Sequence, residues 1–390
     1  MAGVNILNET ELLVTTNPYV VEKRDIIVIG ASAGGVEALT RLLAPLPADL
    51  DASLFIVWHM APSIRGVLPD ILKRITSIPV SQGLHGERIL PNHIYVAPPD
   101  QHLLLEDGRI RLSRGPKENR FRPAIDPLFR SAALHYGNRV MGVILSGGLD
   151  DGTAGLWTIK ERGGLALVQD PAEAEVSSMP ESAIRQVAVD YVLPAGQLAA
   201  RLVEVVGQIG AFAERVNGQQ TASAGTAAGP GGEPRSAERD RHKTALEIQT
   251  ATQDNEAAME LFSLGTLSPY TCPECHGVLA MLKEGSLAYF RCHTGHAYSM
   301  DTLLAALTET IEDNLYSTLR SMDEAIILLN HLGDHYAEAN QAKLAALYFQ
   351  KVQEAQNRAD LIRQAVAQHQ ILSQDLLRQQ SQEVPDDIQV

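Results

Sequence analysis

IIVIGASAGG, residues 26–35, is the stretch from which the fold is read. Four branched apolar residues, Ile26 to Ile29, run into a glycine-rich turn, and an apolar-periodic segment with Val36, Leu39, Leu42 and Leu43 follows. An unbroken apolar run marks a strand buried on both faces, and the glycines punctuate a sharp strand–turn–helix corner. Ser32 sits in that corner in a G-x-S-x-G setting, where glycine lets the backbone turn tightly and leaves room beside the hydroxyl. Taken alone, the corner suits a nucleophilic serine, a helix cap or a phosphate cradle. A dinucleotide fingerprint would want an acidic residue at the end of the next strand. The chain has Trp58-His59-Met60 there instead.

Outward from this corner, strand-like runs at 26–30, 54–58, 93–98, 140–147, 165–169 and 191–194 alternate with helix-like runs at 35–45, 65–76, 126–136, 153–162 and 180–188. Asp107-Gly108 separates two short runs within 103–113 and signals a hairpin. The alternation predicts an α/β domain over 25–205, a mainly parallel, doubly wound sheet with helices on both faces. Residues 1–24 read as a flexible N-terminus. After Gly207 the composition turns small, polar and glycine-rich, and residues 206–262 are expected to be a flexible linker.

Three polar residues follow three of the predicted strands: Ser32 after IIVIG, His59 after LFIVW and Asp151 after VMGVILSGG. Open parallel sheets bind ligands at the carboxyl ends of their strands, so these residues can converge in one crevice. Serine needs a base to become a nucleophile, histidine can take its proton, and a carboxylate can orient the imidazole and stabilise its cation. The order Ser…His…Asp differs from the Ser…Asp/Glu…His order of α/β-hydrolases.

The formal charge of −15 argues against nucleic acid or an anionic membrane as the main partner. No apolar run approaches a membrane span and the N-terminus does not read as a signal peptide, so no membrane insertion and a cytoplasmic location are expected. The cysteines are Cys272, Cys275 and Cys292, and with His296 they read Cys-x2-Cys-x16-Cys-x3-His. Paired ligands at such spacing suit a structural zinc ion, with His293 and His276 as competitors for the fourth position. Four protein ligands would leave no open position, so no metal is expected in catalysis. Beyond Met300, apolar residues recur every three or four positions from Leu304 to Leu329 and from Leu344 to Val366, with Gly333-Asp334 between them. An α-helical hairpin over 304–380 is predicted, with a helical dimerisation element as its alternative.

IGASAGG, VWHMAP, IYVAPPDQHLLL, RPAIDPLFRSAA, ILSGGLDDGTAG and SSMPESAI together resemble, in order and spacing, the catalytic domain of the chemotaxis protein-glutamate methylesterase family (CheB). The resemblance spans roughly residues 25–205. It implies hydrolysis of γ-glutamyl methyl esters on chemoreceptors and deamidation of certain receptor glutamines, without a cofactor. By motif it makes Ser32 the nucleophile, His59 the base and Asp151, not Asp150, the carboxylate. It implies an oxyanion hole from the backbone N–H groups of Ala33 and Gly148, and partners among methyl-accepting receptors and other chemosensory proteins. Arg65, Arg122 and Arg130 are plausible contacts for an acidic receptor helix. Phe121 stands where histidine is expected, which bears on the substrate groove. The segment 263–303 resembles a zinc-ribbon-like appendage of some members, which favours His296 as the fourth ligand. Family members best known for this domain carry a receiver domain ahead of it; only about 24 residues precede the first strand here, so phospho-aspartate control within the chain is expected to be absent. The other reading is a signalling scaffold whose esterase-like domain binds receptors without turnover.

Overall fold

The structure is a computed structural model that describes residues 23–59, 67–217, 235–284, 287–370 and 372, with the backbone alone at 208–217, 235–239 and 284. The first half contains β1 (Ile26–Ala31), α1 (Gly35–Leu43), β2 (Ser53–Trp58), α2 (Val67–Leu72), β3 (Val80–Gln82), β4 (His93–Val96), the hairpin strands β5 (His102–Glu106) and β6 (Arg109–Ser113), α3 (Ile125–Tyr136), β7 (Val140–Ile144), α4 (Thr153–Glu161), β8 (Leu165–Gln169), α5 (Ser178–Gln186), β9 (Tyr191–Leu193) and α6 (Ala195–Asn217). Seven strands form one sheet in the order β3-β4-β2-β1-β7-β8-β9, and each neighbouring pair is parallel.

β1 lies at the centre, and all six of its residues are buried. Its side chains alternate between two cores, as the two-residue period of a pleated strand requires. Ile27 and Ile29 join Leu39, Leu42, Ile56 and Leu202 beneath α1, α2 and α6. Ile26 and Val28 join Phe55, Phe129, Ile144 and Met179 beneath α3, α4 and α5. The doubly wound sheet expected from the apolar runs is therefore present, and the 103–113 hairpin stands beside it. Strand β3 had no signal in the sequence, being three residues at the sheet edge.

The second half contains α7 (Arg235–Ala251), α8 (Asn255–Ser263), β10 (Thr266–Thr271), β11 (Val278–Glu284), β12 (Leu287–Cys292), β13 (Ala297–Ser299), α9 (Met300–Glu338) and α10 (Ala342–Gln368). Strands β10 to β13 form an antiparallel sheet in chain order. Cys272, Leu279, Phe290, Tyr298 and Leu303 make its core with the first turns of α9. Among the described residues, no helix is long and apolar enough to cross a membrane.

Three expectations need correction. Residues 206–262 were expected as a flexible linker, but α6 extends to Asn217 and α7 and α8 fill most of 235–263. The cause is tertiary and local: α7 buries Leu246, Glu247 and Thr250, and Asp254 caps α8 by accepting from the N–H groups of Glu256 and Ala257. Residues 218–234 lie outside the described residues, as do 1–22 of the N-terminal segment and 373–380 of the hairpin. The two C-terminal helices are present and pair through Ile326, Val352 and Ala359, but Gly333-Asp334 does not separate them. α9 runs through Gly333 to Glu338, and the turn falls at 339–341. A Cβ on Gly333 would lie 2.7 Å from the Phe349 ring, so this glycine serves the close approach of α10. Arg130, expected at the surface, is 3% exposed inside the molecule.

Candidate active site

The corner after β1 is built by hydrogen bonds to its own backbone. The Ser32 N–H donates to Ser146 O at 2.9 Å, and Ser32 O accepts from Gly35 N–H and from Trp58 Nε1, both at 2.9 Å. Gly34 has φ +70°, and a Cβ there would come within 2.6 Å of Glu175 Cβ and 2.7 Å of Ser146 Oγ. Only glycine meets both demands at low cost. On the β7 side, a Cβ on Gly147 would lie 2.8 Å from Ser32 Cβ and 2.2 Å from Met179 Sδ. The backbone at Gly147 therefore closes directly onto the serine. The Gly147 N–H is used by Val176 O at 3.0 Å, which makes Gly148 the next amide along this wall.

The three residues taken from three strand ends meet. His59 Nδ1 lies 3.2 Å from Ser32 Oγ, and His59 Nε2 lies 2.8 Å from Asp151 Oδ2. The imidazole thus faces serine with Nδ1 and the carboxylate with Nε2. Phe121 stacks on the imidazole with ring centroids 3.7 Å apart and planes 8° from parallel. Phe121, expected to concern the substrate groove, therefore also bears on the histidine itself.

Asp151 is 1% exposed and richly hydrogen-bonded. Oδ2 accepts from Ile125 N–H at 2.7 Å, and Oδ1 accepts from Asn119 Nδ2 at 2.9 Å and from Asp126 N–H at 3.3 Å. Burial acts to raise its pKa, but the hydrogen bonds and charge, His59 foremost, outweigh it and hold the carboxyl below its usual value. The neighbouring Asp126 moves the opposite way. Burial first, and the charge of Asp151 second, hold it well above the ordinary carboxylate range. Adjacent Asp150 has a partner at the N-terminal cap of α9: its Oδ1 accepts from Ser299 Oγ at 2.7 Å.

Ser32, Trp58, His59, Phe121, Arg120 and Arg122 line a cavity of about 900 Å³ beside the corner. Arg122 is bound to Asp100 Oδ1 at 2.6 Å and to the Gly115 carbonyl at 2.8 Å. Arg65 lies outside the described residues. Arg130 pairs with Glu118 and lies 3.0 Å from Glu247, far from any role as a surface contact.

This geometry coincides with a family segment. A family model described as CheB methylesterase matches residues 27–202. A protein of Leptospira interrogans named "Putative protein-glutamate methylesterase/protein-glutamine glutaminase" is 42% identical over 180 residues, which are 46% of this chain and 93% of that protein. The chain belongs to the CheB methylesterase family. Protein-glutamate methylesterase/protein-glutamine glutaminase 1 of Burkholderia pseudomallei is 41% identical over 204 residues, 51% of this chain and 56% of that protein. The chain spans about half the length of the first curated relatives it matches. The catalytic domain of the CheB methylesterase of Thermotoga maritima aligns with a TM-score of 0.45 at 34% identity, over 47% of this chain and 98% of that one.

Outside the CheB methylesterase segment, the two cysteine knuckles meet. Ligand atoms of Cys272, Cys275, Cys292 and His296 all lie within 4.8 Å of one another. Cys275 Sγ is 3.6 Å from Cys292 Sγ, and His296 Nδ1 is 3.5 Å from Cys292 Sγ and 3.7 Å from Cys272 Sγ. Tetrahedral coordination with metal–sulfur bonds of about 2.3 Å holds sulfurs about 3.8 Å apart, so the donor set fits such an ion. His296 is the histidine in this group. His293 instead packs over Gly277, whose added Cβ would lie 2.5 Å from its ring. Tyr298 Oη lies 3.8 Å from Cys272 Sγ, and Thr294 Oγ1 lies 3.0 Å from Cys292 Sγ, 3.3 Å from Cys275 Sγ and 3.1 Å from His296 Nδ1.

Asn119 carried no signal in the sequence, since a lone asparagine in a loop is common. Ile125 and Asp126 lay within the RPAIDPLF motif, but nothing in the motif showed that their backbone amides face Asp151.

Proposed function

We propose that this chain is a protein-glutamate methylesterase that hydrolyses γ-methyl esters of receptor glutamates and deamidates receptor glutamines. The observation that carries this reading is the line Ser32–His59–Asp151, at 3.2 and 2.8 Å, opening onto the cavity beside β1. Ser32 Oγ attacks the ester carbonyl while His59 Nδ1 takes its proton. Asp151 stays ionised and supports the imidazolium through Nε2–H. The backbone N–H groups of Ala33 and Gly148 receive the developing oxyanion, where one such donor is worth roughly 3–4 kcal/mol of barrier. Collapse of the tetrahedral intermediate breaks the C–O bond, and methanol leaves with the proton from His59. Water, deprotonated by His59, then attacks the glutamyl–Ser32 ester and releases the carboxylic acid. With a glutamine substrate, ammonia leaves instead.

The same reading places the enzyme in the cytoplasm, with a methyl-accepting receptor as its substrate. Cys272, Cys275, Cys292 and His296 hold a structural zinc ion that supplies no catalytic chemistry, because all four positions of a tetrahedral site are taken. Zinc binding would contribute folding energy to the small sheet β10–β13, whose own core is slight.

The test is methanol release from a methylated receptor fragment, with labelling of Ser32 by a fluorophosphonate probe. Wild type should release methanol and take up label, and Ser32→Ala should do neither. Equal release from both, or none from either, would overturn the enzymatic reading and favour a receptor-binding scaffold.

A further inference from the structure

Residues 118–121 form a two-residue hairpin turn. Glu118 and Phe121 exchange backbone hydrogen bonds at 3.2 and 2.9 Å, and Asn119 and Arg120 both have positive φ, +49° and +75°. This is the backbone pattern of a type I′ turn, for which asparagine is a favoured first residue. The C-terminal half of the chain holds the turn on one side. The Asn119 N–H donates to Ala297 O at 2.8 Å, Arg120 pairs with Glu309 on α9, and Glu118 is bound by Arg291 on β12. On the other side, Phe121 stacks on His59.

The Asn119 side chain is 5% exposed and fully engaged. Its Nδ2 donates to Asp151 Oδ1 and to Asp126 Oδ2, both at 2.9 Å. Its Oδ1 accepts from the Ser299 N–H at 3.1 Å and from Thr302 Oγ1 at 3.2 Å. A side-chain amide has two N–H donors and two acceptor lone pairs, and all four are used here. The orientation of the amide follows from its partners. A backbone N–H can only donate, so the atom facing Ser299 must be the oxygen. The NH₂ group must then face the two carboxyl groups. Ser299 is itself the cap of α9: its Oγ accepts from Thr302 N–H at 3.0 Å and donates to Asp150 Oδ1.

We infer that Asn119 is a positioning residue for the Asp151–His59 pair, and that the first turn of α9, through Ser299 and Thr302, sets its orientation. Through Asn119, the carboxylate of the triad is thus linked to residues far along the chain, Ser299 and Thr302. Removing Asn119 leaves Asp151 Oδ1 with the 3.3 Å contact from Asp126 N–H, so the carboxylate, still held at Oδ2 by the Ile125 N–H, is less firmly oriented toward Nε2. The inference rests on the methylesterase reading for its kinetic consequences, but the hydrogen-bond relay can be read without turnover.

The experiment uses the full chain with Asn119→Ala, Thr302→Val and the double variant. Asn119 does not line the Ser32 cavity, so KM should hold while kcat falls by about 10- to 100-fold, the size of a lost hydrogen bond to a charged group. The acid limb of kcat/KM should move to higher pH in Asn119→Ala, because ionised Asp151 loses a donor. Thr302→Val should move both quantities in the same direction by less, and should add nothing once Asn119 is alanine. The low-field proton resonance of the His59 Nε2–H, read by NMR, should shift in both single variants. Wild-type kcat, pH profile and resonance in Asn119→Ala, or a Thr302→Val effect that simply adds to it, would overturn the inference. A wild type that neither hydrolyses ester nor labels Ser32 would overturn the methylesterase reading alone, and the resonance would still decide the relay.

Discussion

Arg291 of the C-terminal sheet donates to Glu118 of the esterase domain at 3.0 Å, and the two side chains are only 1% and 2% exposed. Arg130 and Glu247 complete the buried cluster, which holds two cations and two carboxylates. Burial works to raise the Glu118 pKa, but Arg130 and Arg291 outweigh it and hold the carboxyl below its usual value. Replacing one member of such a set leaves a buried charge without its partner, at a cost of roughly 3–5 kcal/mol. Arg291→Met should therefore lower the thermal midpoint sharply. Arg291→Met combined with Glu118→Gln should recover part of the loss, as measured by calorimetry on the three proteins.

Asp151 and Asp150 are adjacent in the sequence but face different partners. Asp151 accepts from His59, and Asp150 accepts from Ser299. Asp151→Asn should reduce kcat by roughly 10³- to 10⁴-fold, since the imidazole loses the charge that supports its cation. Asp150→Asn should cost less than about tenfold, since it weakens a contact to the α9 cap and leaves the His59–Asp151 bond in place. Steady-state methanol release for the two variants checks the assignment.

The Cys3His cluster gives a prediction that does not depend on activity. Purified protein should carry about one zinc ion per chain, and Cys292→Ser should lose it. Amide exchange in β11 and β12, which carry the core residues Leu279 and Phe290, should accelerate in that variant. Metal analysis finding no stoichiometric ion in the wild type would remove the site.

His102 sets a pH dependence. Its Nε2–H donates to Pro116 O at 2.9 Å, and its Nδ1 accepts from Ala124 N–H at 3.2 Å, so the neutral ring ties both ends of the loop that carries Asn119 and Phe121. Protonation would set Nδ1–H against the Ala124 N–H. Burial lowers its pKa, against an opposing pull from Glu118. A histidine with a depressed folded pKa contributes stability that is full above its unfolded value, about 6.5, and is lost as pH falls below that value toward the folded pKa. Urea midpoints measured between pH 7.5 and pH 5 should therefore fall toward acid, and His102→Gln should flatten the slope.

Much of the methylesterase domain was legible because its signals are local. The apolar run of β1, the glycines after it and the polar residues at three strand ends each follow from strand period, turn sterics and the need to leave the core. The thiol spacing is local in the same sense, two knuckles each closed within a few residues. Other features were not legible because their partners lie far away in the chain. Arg130 is buried because Glu118 and Glu247 are brought to it, and nothing near it in the sequence announces either one. The helix α7 is made mostly of polar residues, with little apolar periodicity to mark which face it buries, and it packs through Leu246 and Glu247. Gly333 read as a break because glycine weakens a helix, whereas the approach of Phe349 makes it useful inside one.

By itself, then, the sequence determined the parallel sheet, the serine corner and which residues could share its crevice, since each depends on the chemistry of a few consecutive side chains. Only the tertiary structure decided that Phe121 lies on His59 and that Asn119 stands between Asp151 and the cap of α9. Those relationships join residues up to 183 positions apart, and a contact of that span comes into being only when both segments have folded and docked.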